Sequence, residues 1–83
     1  MLNIKWRNEE MQCRTVTKAF HAADFPLKLR AARGYFIMEY DHNGRYETKS
    51  VMTYQLNALT LEQWLEEGKQ FTEELKEKGL TNL

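Results

Sequence analysis

From Leu61 to Leu75 the apolar and small residues Leu61, Trp64, Leu65, Gly68, Phe71, Thr72 and Leu75 recur every three or four positions. That period places them on one face of a helix. Glu62, Glu66, Lys69, Glu73 and Lys76 fall on the opposite face. Thr60 can cap the start, because its hydroxyl accepts from a first-turn amide that has no helical partner. Gln63, three residues on, completes a capping box, and Leu59 with Trp64 is spaced as a hydrophobic staple. Glutamates crowd the first half and Lys76 and Lys78 the end, as the helix dipole favours. Gly79 supplies a left-handed stop, with Leu80 placed to fold back on Leu75. A helix over 61–78 is predicted. Gly68, inside it, costs about 1 kcal/mol relative to alanine, so a close approach by a strand beneath is expected there.

The period changes to two in the middle of the chain. Tyr35 to Tyr40 is the most strand-like run, and Asp41-His42-Asn43-Gly44 is a turn signal in which Gly44 can take positive φ. Arg45 to Leu56 reads as the returning strand, giving a hairpin over 35–56. Phe36, Met38, Val51 and Met52 are expected to meet the Trp64 face.

The first third is less regular. Leu2 to Arg7 alternates like a short half-buried strand. Asn8 before Glu9 and Glu10 looks like a helix start, and Cys13, Val16, Ala19, Phe20 and Ala23 then share a helical face, with Glu10 and Arg14 as an i,i+4 pair. The competing reading is a strand over Gln12 to Phe20, because Thr15, Val16 and Thr17 favour strands. Asp24-Phe25-Pro26 breaks the pattern. Either Asp24 caps a helical turn from Leu27 to Arg33, or Leu27 and Leu29 point inward from an extended segment.

These elements give an α+β fold for residues 1–83 as a single domain. A small, mostly antiparallel sheet of three or four strands packs against the long C-terminal helix and a shorter N-terminal one. So short a chain has one modest core.

Twelve basic and twelve acidic residues cancel. A dedicated duplex-DNA binder, which gains affinity by neutralising phosphates, is disfavoured. The charge is uneven, +3 over residues 1–58 and −3 over 59–83. Cys13 is the single cysteine, excluding an internal disulfide or a cysteine-based metal cluster. No signal peptide or membrane-spanning apolar run is visible, and a cytoplasmic setting is expected.

No catalytic, metal or cofactor residues emerge. The Asp41–Gly44 turn lacks the further oxygen ligands and the spacing of a calcium loop. His21, His42 and Cys13 share no metal-ligand spacing, and no phosphate loop, nucleophile elbow or HExxH is present. Segment 33–40 resembles in part the RNP1 motif of RNA-recognition domains: Arg33, Gly34, Tyr35 and Tyr40 fit, whereas Phe36 and Ile37 depart from it. The order of elements also departs, with a hairpin and a final helix where that family continues into a helix and a last strand.

The expected function is a small non-enzymatic protein-interaction module: an adaptor, regulator or inhibitor that occupies a partner's surface. Stand-alone domains of this size are common in phages and mobile elements. Methionine and tyrosine content suits an adaptable interface. The candidate contacts are Arg30, Arg33, Tyr35, Tyr40, Tyr46 and Tyr54, and the partner is another protein or a second copy. The first alternative is single-stranded nucleic acid, stacked on tyrosines and held by arginines. The second is a small-ligand pocket or a minor enzyme.

Overall fold

The computed structural model describes residues 12–80. Helix α1 (Cys13–Ala22) is followed by strands β1 (Lys28–Ala31), β2 (Phe36–His42) and β3 (Arg45–Val51), a 3-10 turn at Leu56–Ala58, and helix α2 (Leu61–Glu77). The strands form an antiparallel sheet in the order β1-β2-β3, so the α+β architecture is as expected. The expected strand Leu2–Arg7, the Asn8 helix start and the Glu10–Arg14 pair lie outside the described residues.

The best-marked element behaves as its sequence dictates. Thr60 Oγ1 accepts from the Gln63 amide at 3.1 Å, and Gln63 Oε1 accepts from the Thr60 amide at 2.8 Å. At the other end Gly79 takes φ 75°. The Leu80 amide donates to Leu75 O and the Gly79 amide to Lys76 O, both at 2.9 Å, which is the Schellman pattern.

Residues 13–22 are helix, not strand. The helix ends at Asp24, which takes φ 66°, while the Phe25 amide donates to Phe20 O at 2.8 Å. Asp24 therefore closes α1 and does not cap a following turn. The chain leaves extended, with Leu27 and Leu29 buried, so the extended reading of this segment is the correct one.

Asn43 and Gly44 both take positive φ, 53° and 76°, as a two-residue type I′ hairpin requires. β3 stops at Val51, earlier than expected. The Thr53 amide turns back to Val51 O at 3.0 Å, and the chain leaves the sheet. Met52 and Tyr54 are consequently 78% and 86% exposed. The expectation that Met52 meets the helix is wrong.

Both helices lie on one face of the sheet. Leu29, Phe36, Met38 and Tyr40 point into that layer and join Val16, Phe20, Trp64, Phe71 and Leu75 in one core. Trp64 meets Phe36 edge-on, with centroids 5.7 Å apart, and its Nε1 donates to Leu56 O at 2.8 Å. That bond ties the 3-10 turn to α2.

A two-residue hairpin is closed by a hydrogen-bonded pair, here His42 and Arg45, and the pairing alternates from there. In the observed register the amides of Leu29 and Ala31 therefore point away from β2, toward the β1 edge. Helix α1 runs along that edge and receives the first. Leu29 N–H donates to Thr17 Oγ1 at 2.9 Å, and the Ala31 amide faces the Cys13 thiol. One helical turn on α1 thus matches two residues of strand. Burial pushes the Cys13 thiol above its ordinary value, opposed by the Ala31 amide.

Candidate functional site

The second face of the sheet carries Lys28 and Arg30 from β1, Ile37, Glu39 and Asp41 from β2, and Tyr46, Thr48 and Ser50 from β3. These are the positions that alternate with the core-facing ones in the observed register. No described element covers this face. Glu39 sits at its centre, directly opposite Lys28 on one side and Thr48 on the other. Arg30 and Tyr46 reach it diagonally from the two flanking strands. Arg30 Nε donates to Glu39 Oε2 at 2.8 Å, and Tyr46 OH donates to the same oxygen at 2.7 Å.

The electrostatics follow from that shared oxygen. Two donors favour the ionised carboxylate. The Tyr46 hydroxyl first, and the Arg30 guanidinium second, hold the Glu39 carboxyl below its ordinary value. Reciprocally, the bond to Glu39 raises the Tyr46 hydroxyl and the Arg30 guanidinium above theirs. Glu39 is held firmly, with its side chain 15% exposed. Tyr46 remains 56% exposed, so its ring is presented in a fixed orientation.

The six residues singled out in the sequence do not form one patch. Arg30 and Tyr46 meet through Glu39. Arg33, Tyr35 and Tyr54 gather at one end of the sheet. Arg33 and Tyr35 flank Gly34 in the β1–β2 bend, and the Tyr54 ring comes back to within 3.9 Å of where a Cβ on Gly34 would lie. Tyr40 belongs to neither group. It is 1% exposed, on the core face, and its hydroxyl donates to Leu80 O at 2.8 Å. Its expected role as a surface contact is corrected: Tyr40 is a core residue that anchors the C-terminal end of α2.

Neither Glu39 nor Lys28 was among the candidate contacts. Glu39 could have been found by asking which residues of the most strand-like run alternate with Phe36, Met38 and Tyr40, and Lys28 by the alternation with the inward Leu27 and Leu29 of the extended reading. Lys28 also lies between two open clefts. One, of about 330 Å³, is lined by His21, Pro26, Leu27, Lys28, Glu39, Asp41 and Tyr46. The other, of about 320 Å³, has Leu29 and Thr17 along its floor and Arg14, Lys18 and Lys28 at its rim. Among the described residues, no group of three His, Cys, Asp or Glu side chains is placed to hold a metal ion. No described helix is long and apolar enough to cross a membrane.

No protein-family model matches this chain, and neither a curated protein nor a solved structure is similar enough to count as a match.

Proposed function

We propose that this chain is a non-enzymatic protein-interaction module that binds its partner through the uncovered face of the sheet. The observation that carries the reading is the Arg30–Glu39–Tyr46 cluster. A partly exposed tyrosine and an arginine, both held in place by one carboxylate, make a preorganised contact, and tyrosine and arginine are the side chains that most often anchor interfaces. Glu39 engages Arg30 through Nε, which leaves the terminal guanidinium nitrogens for a partner's carboxylate. Lys28 beside it, and Arg33 at the end of the sheet, add positive charge. The partner surface that fits is therefore acidic around an apolar residue able to cover the Tyr46 ring.

Single-stranded nucleic acid is the lesser reading. The cleft rimmed by Arg14, Lys18 and Lys28 favours it, because these side chains form no ion pair with another described residue. Glu39 and Asp41 on the adjoining face oppose it, since they repel phosphates.

The test is capture by the tagged chain from its host lysate after nuclease treatment, repeated with R30A and Y46A. A protein retained by the parent chain and lost with both variants, their circular dichroism unchanged, supports the reading. A protein retained equally by both variants refutes this surface. Capture abolished by nuclease replaces it with the nucleic-acid reading.

A further inference from the structure

The two edges of the sheet differ. On β1 the outward amide of Leu29 is taken by Thr17 of α1, and α1 runs along that edge. On β3 the same alternation turns the main-chain groups of Tyr46, Thr48 and Ser50 outward, and no described residue pairs with them. These three residues are exposed. Arg45–Val51 contains no proline or glycine, and it pairs with β2 residue for residue along its whole length. An extended strand edge of this kind is a template for another strand.

Charged residues on an edge usually discourage such pairing. Here their order makes them self-complementary. In an antiparallel pair of β3 strands, full overlap of the seven residues puts the two-fold axis at Thr48. Tyr46 then lies opposite Ser50, and Glu47 opposite Lys49, in both directions. Glu47 already accepts from Lys78 at 3.3 Å, and Lys49 donates to Glu74 at 2.6 Å. Across the axis the sequence of charges becomes Lys78, Glu47, Lys49 of the second copy, Glu74 of the second copy, alternating in sign, and it occurs twice. Shifting the axis by one residue sets Glu47 against Glu47 or Lys49 against Lys49.

We propose that two copies of this chain pair antiparallel through β3 about a two-fold axis at Thr48, joining two three-stranded sheets into one. The interface is isologous, as in most homodimers. The outward amides and carbonyls of Tyr46, Thr48 and Ser50 make its main-chain bonds, and the Glu47–Lys49 pairs select the register. Strand pairing alone buries less than a standard interface, so the dimer forms and dissociates with concentration. The proposal is independent of the function proposed above, and it leaves the Arg30–Glu39–Tyr46 face open on both copies.

Sedimentation velocity of the full chain over a wide concentration range tests it, together with amide exchange read residue by residue. The expected result is a shift from one-chain to two-chain mass, with the amides of Tyr46, Thr48 and Ser50 gaining protection as the dimer fills. E47K weakens association by about tenfold or more, because two attractive cross-strand pairs become repulsive. The double variant E47K/K49E restores it, although it reverses the pairs with Lys78 and Glu74 within each copy. T48P removes an outward amide without touching the β2 ladder and yields a monomer. A chain that stays monomeric throughout overturns the proposal, as does a dimer indifferent to E47K and T48P. So does a monomer whose β3 edge is protected only by a foreign partner.

Discussion

A Cβ built on Gly68 would lie 2.6 Å from Cε1 of Phe20. The glycine in α2 is there so that α1 can approach, and the group that fills the space is an aromatic ring, not the strand that the sequence suggested. Phe20 is wholly buried and meets Phe25 at 6.3 Å between centroids, so its ring withdraws only by disturbing the packing around it.

Gly68→Ala therefore destabilises the fold despite the better helix propensity of alanine. Propensity favours the change by about 1 kcal/mol, and overpacking a closed core opposes it by about 1–3 kcal/mol. A net loss of about 1 kcal/mol is expected in urea denaturation. In an F20L background the same substitution should cost less, because the two sites share one contact. Equal costs in both backgrounds would rule out the contact as the cause.

Tyr40→Phe removes the hydrogen bond to Leu80 O and leaves the ring in place. The expected cost is about 0.5–1.5 kcal/mol of stability, with no change in partner capture. This separates Tyr40 from Tyr46, whose alanine variant should do the opposite.

Thr72 Oγ1 is buried without a hydrogen-bond partner. Thr72→Val keeps the shape and removes the stranded hydroxyl, so the melting temperature should hold or rise, by the equivalent of up to about 1 kcal/mol. Thr72→Ser keeps the hydroxyl, loses a methyl and should destabilise by about 1 kcal/mol.

Glu39 should titrate below 4.5, its ordinary value. A carboxylate whose pKa is depressed on folding contributes stability that is fully present above the unfolded value. That contribution is lost as pH falls from about 4.5 through the lower folded value. Carbon-detected NMR of the side-chain carboxyl measures the shift directly. Tyr46→Phe, which removes the larger of its causes, should move Glu39 back toward 4.5.

Much of this was written locally. Thr60, Gln63 and Gly79 bracket α2 because capping is satisfied within a few residues, and Asn43-Gly44 sets the hairpin because both positions need positive φ. What was not legible depended on partners distant in sequence. The end of β3 at Val51 could not be read from Met52 and Tyr54, which look like strand residues. It is set by a turn of the main chain at Thr53. Asp24 has the composition of a helix start, yet it closes a helix, because Phe25 folds back on Phe20. Of the candidate site, Arg30 and Tyr46 were nameable from composition. Glu39, which joins them, emerges only once β2 is flanked by β1 and β3. Tyr40 and Tyr46 are both tyrosines of the hairpin, and only the register separates core from surface.

The bond from Leu29 to Thr17 limits how far this sheet can grow. A sheet open at both edges can add copies without limit, which is the geometry of a fibril. Here α1 occupies one edge with its own side chains, so a pairing event at the other edge leaves no free template behind it. Growth ends after a single addition. Thr17 acts as a chain terminator for strand polymerisation, and loss of its hydroxyl would reopen the edge that it closes.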